Sequence, residues 1–477
     1  MTEGGGRRVE FCRVGTGPVT RRLAPAVRAR HMAGMNEELL ADVVKAALAA
    51  GADAAEVVGA ERRALGINVR LGKLEEVERE ESRDLGLRVF VGKRQATVSG
   101  SDISASARAK LVERAVAMAR LAPEDPYAGL ADPSLYAKGP HQDLDLFDAF
   151  EPNPEALEDT ARMAEDAARA MPRITNSEGG SATASQSEWR FVASNGFSGT
   201  HKASGFSIGA SVVAGDGDEM ESGYDGRSAR WYSDLPGAQG IGQEAGRRAA
   251  ARLGARKIAS TTAPVIFENR LATSLIGPLI GAISGPAIAR GSSFLKDKLH
   301  AQVFAKGINI IDDPHKMRGL GSSPYDDEGV ANRVWSLIED GVLTTWMLNS
   351  ASARQLGLTS TGHASRGSAG PSGVGTSNLT VLPGTKDQAQ LMADAGTGVI
   401  ITSMFGPSLN GNTGDWSVGC AGFWFEGGQI AYPVAEITVA GNLIDIYARM
   451  IVGSDLEIRG SANSPSILVD GLAIAGK

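Results

Sequence analysis

The chain has 477 residues, too many for one hydrophobic core, so two or three domains are expected. Its net charge of −7, with no long basic run in the body of the chain, argues against a direct nucleic-acid partner. Glycine is abundant at 60 residues and aromatics make up only 5%, which points to many turns and small-residue packing, and no Gly-x-y period marks a collagen.

Residues 1–35 differ from the rest of the chain. Arg7, Arg8, Arg13, Arg21, Arg22, Arg28 and Arg30 crowd this stretch behind Gly4–Gly6. It contains no apolar run of about 7–15 residues, so it does not read as a secretory signal. It reads as a disordered extension. A second reading starts the protein at Met35, directly before the first helix. Cys12 and Cys420 are the only cysteines. A reducing, cytoplasmic compartment is the simpler expectation.

Asn36 caps a helix running to about Ala50, with Leu39, Leu40, Val43, Val44 and Leu48 at helical spacing. Short strands are expected at Ala55–Gly59, Leu65–Leu71, Leu74–Glu78 and Leu85–Val91, with turns at Gly72-Lys73 and Gly92-Lys93. A strand at Ala96–Ser99 and a helix capped by Ser104 come next. This order predicts an α+β layer, an antiparallel sheet covered by helices. Residues 123–152, rich in Pro, Asp and Gly, read as a linker-like loop. A helix is expected from Pro154 to about Ala170. Thr183–Ser194 and Gly199–Ala214 flank Asn195-Gly196, a hairpin signal. Asp216, Asp218, Glu219 and Glu221 lack the calcium-loop spacing and read as a solvated loop. A helix over 240–253 completes an N-terminal α+β domain of residues 36–262.

Residues 263–477 read as a β-rich, barrel-like C-terminal domain. Pro264–Phe267 is its first strand. Leu271–Ala289 is uncharged and about long enough to cross a bilayer. Pro278, Pro286 and three glycines favour a buried helix and a turn, so no membrane partner is expected. Val334–Ile338 and Val342–Met347 flank Asp340-Gly341, and Phe423–Phe425 and Gln429–Ala431 flank Gly427-Gly428. Further strands are expected at Thr380–Leu382, Val399–Thr402, Glu436–Val439 and Ile467–Val469, with helices at about Ser350–Leu356 and Lys386–Asp394.

Motifs that carry chemistry are scarce. None of the six histidines is followed by Glu, and no two stand three or four residues apart, the spacing that puts two metal ligands on one helix face. Asp312-Asp313-Pro314-His315 reads as a turn. Cys420 sits among small residues with no histidine after His363, and reads as packing rather than as a nucleophile. Gly205–Gly209 spells G-x-S-x-G but lies in an expected strand. Ser293–Lys296 spells S-x-x-K without its companion motifs. No phosphate loop occurs, and Gly406–Gly414 reads as an irregular loop. No catalytic residue and no metal ligand is assigned.

Several strings jointly resemble the TldD/PmbA metalloprotease family, its TldE (PmbA) branch in particular. They are Pro264–Phe267, Gly319–Val330 (GLGSSPYDDEGV), Ile338–Leu343, Ser352–Ala364, Gly414–Glu426 and Tyr432–Leu443, with Gly51–Glu56 and Gly86–Val89 near the start. The resemblance covers roughly residues 36–477. It implies a heteromeric protease acting on unfolded or extended peptides, in which a TldD-like partner carries zinc on a helix with HExxxH plus a distal cysteine. The roughly corresponding helix here, Leu271–Ala282, offers no His, Glu or Cys. The resemblance therefore implies a non-catalytic subunit with no cofactor of its own, and zinc in the TldD-like partner. Self-association is left open. Asp326, Asp327, Glu328, His363, Asn410, Asn412 and Asp415 are the candidate peptide-channel residues, drawn from Gly319–Gly329, from Ser352–Ala364, and from Gly406–Gly414 with the Asp415 that follows it. The alternatives are a self-sufficient hydrolase using Cys420 or a serine, and a peptide-binding scaffold.

Overall fold

The structure is a computed structural model that describes residues 35–217 and 219–477. Of the expected extension, residues 1–35, positions 1–34 lie outside the described residues. Met35 lies inside them and is fully buried. It precedes the cap residue Asn36 and packs with Leu40 four positions into the helix, a hydrophobic staple.

In chain order the first elements are α1 (Glu37–Ala49), β1 (Ala54–Arg70), β2 (Lys73–Val91), β3 (Arg94–Gly100), α2 (Ala105–Leu121), α3 (Pro154–Arg169), β4 (Ile174–Ala193), β5 (Ser198–Ala214), β6 (Glu221–Ala229) and α4 (Ala238–Ala251). The strands form one antiparallel sheet in the order β3-β2-β1-β4-β5-β6. Alternation along β1 sorts its two faces. Ala55 and Val57 join α1 and α2, and Ile67 and Val69 join α3, all from one side. The helix-covered layer is thus the expected one.

The four short strands expected between Ala55 and Val91 are two long ones. Pairing runs unbroken from Ala60↔Asp84 to Asn68↔Glu76. Lys73–Glu81 is exposed throughout, so charge replaces apolar alternation and the strand signal is lost. Since β3 pairs only with Leu85–Val91, one edge of Lys73–Asp84 has no strand partner among the described residues, and its charged side chains discourage edge pairing. β4 likewise begins at Ile174 rather than Thr183, through a polar, glycine-bearing stretch beneath α3. Residues 123–152 hold only one short helical turn, Pro133–Leu135, yet Ala128, Ala131, Leu144 and Leu146 are buried.

The second half begins with β7 (Thr261–Phe267), α5 (Asn269–Ala282) and α6 (Gly285–Ala289). Then come β8 (Ile310–Asp312), β9 (Trp335–Glu339), β10 (Val342–Leu343), α7 (Ser350–Leu356), β11 (Ala364–Ser365), β12 (Gly373–Val374) and β13 (Leu379–Val381). The last elements are α8 (Gln388–Ala395), β14 (Gly398–Leu409), β15 (Asp415–Glu426), β16 (Gln429–Asn442), α9 (Leu443–Arg449), β17 (Met450–Val452), β18 (Ala462–Asn463) and β19 (Ile467–Ala475). Strands β16-β15-β14-β7-β19 are paired in sequence, and β16 also pairs with β19, which closes a five-stranded barrel. A smaller sheet runs β10-β9-β8-β13-β18.

Barrel positions Val265, Phe267, Val399, Ile401, Val418, Cys420 and Val439 face one core. Helix α5 buries Ala272, Leu275, Ile276 and Leu279 in that same core. No helix among the described residues is long and apolar enough to cross a membrane.

Candidate functional site

Helix α5 has two unlike faces. Ser274, Gly277 and Gly281 are exposed on the side turned away from the barrel core. A side-chain carbon placed on Gly277 or Gly281 would meet only open space. Across from them stand Met404, Pro407 and Leu409 of β14 and Trp416 of β15. Together they bound a groove of about 840 Å³. Arg270, at the N-terminal end of α5, is its single charged lining residue among the described residues.

The groove has a backbone edge as well as apolar walls. β14 pairs with β7 only at Val399–Ile401, because β7 ends at Phe267 where the chain turns into α5. Beyond Thr402 that side of β14 has no strand beside it among the described residues, and Phe405 and Leu409 are exposed there.

The seven candidate residues fall into two separate places. Asn410, Asn412 and Asp415 are exposed on the turn joining β14 and β15, next to groove-lining Gly411. The Asn410 N–H donates to the Asp415 carbonyl at 2.9 Å, and the Asn412 N–H donates to Asn410 Oδ1 at 3.1 Å. Asp415 accepts from Thr413 Oγ1 at 2.7 Å and from Asn442 Nδ2 at 3.0 Å. The Phe294 N–H docks on the Gly411 carbonyl at 2.9 Å, which ties this turn to the segment after α6.

Asp326, Asp327, Glu328 and His363 stand elsewhere, in a buried network that does not line the α5 groove. Asp326 Oδ1 accepts the N–H groups of Glu328 at 3.0 Å and Val330 at 2.8 Å, and Oδ2 accepts that of Ala364 at 3.1 Å. Asp327 accepts the Arg366 N–H at 2.8 Å. Glu328 accepts the Ser350 N–H at the start of α7 at 2.8 Å. His363 Nδ1 lies 2.8 Å from Thr361 Oγ1, and its Nε2 approaches Asp312 to 3.4 Å. Burial, then the nearby Glu328 charge, raises the Asp326 carboxyl well above its ordinary range despite its three N–H donors. Asp326→Ala strands those buried donors and is expected to lose about 2–3 kcal/mol of stability, read by urea unfolding.

His201 on β5 sits edge-on to Tyr325 at 5.8 Å. Burial, then the Arg230 charge, depresses its pKa from 6.5 to about 4. The unfolded chain therefore holds more protons than the folded one between those values. Stability is full above pH 6.5 and falls as pH drops towards 4. The loss from this group should approach roughly 3 kcal/mol. His201→Gln should flatten that part of the stability–pH curve in unfolding titrations.

The donor set decides whether a metal fits. The exposed face of α5 presents Ser, Thr, Gly and Pro, none of which is a zinc ligand. No group of three or more His, Cys, Asp and Glu that would hold an ion exists among the described residues. Cys420 is buried in the barrel core, and burial raises its pKa to about 12, so it is no thiolate nucleophile. The residues do not fit a catalytic metal.

A closed five-stranded barrel and a helix-covered antiparallel sheet define a mixed α+β protein. Profiles of the PmbA/TldA metallopeptidase domain 1, central domain and C-terminal domain match residues 55–119, 147–253 and 260–476. The chain belongs to the PmbA/TldD family, and within it to the PmbA/TldE type. It is 38% identical to metalloprotease PmbA of Escherichia coli O157:H7 over 95% of this chain and 100% of that one. A PmbA homologue of Haemophilus influenzae is 36% identical over 91% of this chain and 94% of its own. A crystal structure from Bacteroides thetaiotaomicron, described as a candidate modulator of DNA gyrase, superposes with a TM-score of 0.86 at 28% identity, covering 93% of this chain and 99% of that one. TldE from Thermococcus kodakarensis shares the fold at a TM-score of 0.81 and 20% identity, covering 92% and 100%.

Proposed function

We propose that this chain is the non-catalytic subunit of a heteromeric zinc protease, working beside a TldD-like partner in the cytoplasm to degrade or mature unfolded peptides. The observation that carries this reading is the surface of α5. It borders a groove sized for a peptide yet offers no side chain that could bind zinc. Metal-activated water must then come from the partner. The free side of β14 supports the peptide half of the reading. An extended chain added there gains backbone hydrogen bonds with little demand on sequence.

Size-exclusion chromatography of the chain with and without its TldD-like protein, with metal analysis of each peak, tests this. A co-eluting complex is expected, with zinc in the complex and in the partner's peak and peptide cleavage by the complex. Stoichiometric zinc in this chain alone, together with chelator-sensitive cleavage by it, would overturn the reading. So would a complex that cleaves nothing beyond what the partner cleaves alone.

A further inference from the structure

Three arginines meet at one acid beside the groove. Asp225 of β6 accepts from Arg227 Nη1 at 3.0 and 3.2 Å and from Arg459 Nη1 at 3.0 Å. Arg227 and Arg459 also use Glu457, the latter through Nε at 2.9 Å and Nη2 at 2.6 Å. The third, Arg270, is left over. Its Nη2 donates to the Tyr224 carbonyl at 3.1 Å and stays 3.6 Å from Asp225. Its Nε and Nη1 donate to no group among the described residues, although only 9% of the side chain is exposed. Three guanidiniums therefore face two carboxylates, and the excess charge rests on the one with idle donors.

The position of Arg270 gives that excess a use. It lines the α5 groove and also an adjoining trough of about 690 Å³ over β4, β5 and β6. Its guanidinium carbon lies over the Tyr224 ring, 4.9 Å from the centroid, and Nη2 is held by the Tyr224 carbonyl, so the fork is oriented before any ligand arrives. It is the second residue of α5, where the helix N-terminus adds positive potential. The neighbouring Glu268 is already matched by Arg248. Glu75 and Glu178 line the trough but not the groove. From Arg270 to Gly281 the helix is about 17 Å long, room for roughly five extended residues.

We propose that Arg270 is a carboxylate subsite at one end of the α5 groove, selecting extended, otherwise apolar peptides that place an anionic group there. This rests on the groove being a peptide channel. The carboxylate is either the peptide's C-terminus or an Asp or Glu side chain.

The test uses the full-length chain and fluorescence anisotropy with three fluorescein-tagged heptapeptides of Ala, Leu and Thr. One ends in a free carboxylate, one in an amide, and one in an amide with Glu as its penultimate residue. Wild type is expected to bind one of the two acidic forms about tenfold more tightly than the plain amide. Which one it prefers identifies the source of the carboxylate. The preference should shrink as salt rises. Arg270→Gln should remove the preference, so that the acidic and amide peptides bind the variant with equal Kd. Equal binding of all three by wild type overturns the subsite and spares the groove, and needs no variant to fold. A preference that survives in Arg270→Gln does the same. No binding of any form overturns the groove reading and the subsite with it.

Discussion

Glu56→Ala is expected to lower stability by about 4 kcal/mol, one of the two largest single effects foreseen for this chain. Glu56 lies on the sheet face opposite the helices and is only 2% exposed. Its Oε1 accepts from Arg88 Nη1 at 3.2 Å and from Arg366 Nη1. Both arginines are as deeply buried as the acid. Arg88 has a further acceptor in Gln95, and Arg366 lies over the Phe191 ring at 5.2 Å. Removing the acid leaves two guanidiniums facing each other in a dry site. Arg366 begins the loop to β12, and the Ser368 carbonyl sits against Gly86 of β2. The variant should therefore also free this loop. Urea unfolding reads the first effect, and faster proteolytic nicking within residues 366–372 reads the second. Glu56→Gln keeps the shape and one acceptor, and should lose less. Equal midpoints for wild type and Glu56→Ala would show the cluster to be energetically idle.

Gly242→Val should be at least as damaging, about 4 kcal/mol or more. Helices α3 and α4 approach through Ala164 and Ala168 on one side and Gly242 and Gly246 on the other. A methyl on Gly242 would overlap the Ala164 carbonyl and come within 2.9 Å of the Ala168 nitrogen. Both are backbone atoms, so no rotamer change relieves the clash and the helices must part. That uncovers Ile208, Ala210 and Val212 of β5. Gly242→Ala should show a smaller drop in melting temperature than Gly242→Val. A Val variant that melts with wild type would disprove this account of the packing.

Legibility from sequence followed burial. Helix α1, with its Asn36 cap and apolar stripe, and the β4–β5 hairpin at Asn195-Gly196 could be read because their signals are local. The full length of β1 and β2 could not, because residues exposed on both faces carry no alternation. Abundant glycine and scarce aromatics pointed to small-residue packing without saying where, and the α3–α4 contact at Gly242 is one place where it occurs.

The acids of 326–328 show the limit for sites. An acid that faces a channel and one that caps buried N–H groups look alike in a sequence, and here the latter geometry is found. Arg270 could not be picked out either. The residues that make it unusual, Tyr224, Asp225 and Arg459, lie far from it along the chain. Its one local sign was a lone charge at the head of an otherwise uncharged helix.

The pairing of β19 with β7 and β16 has a consequence during synthesis. Strand β7 is translated about 200 residues before Ile467–Ala475, the partner on one of its edges. The ring cannot be completed until that strand has been made and has left the ribosome tunnel. The helix-covered sheet can mature before then, but the barrel must wait. In that interval the apolar side of α5 has no finished pocket to enter, and nascent chains halted just before Ile467 should engage chaperones more than those halted at the end of α4, before β7 and α5 are made.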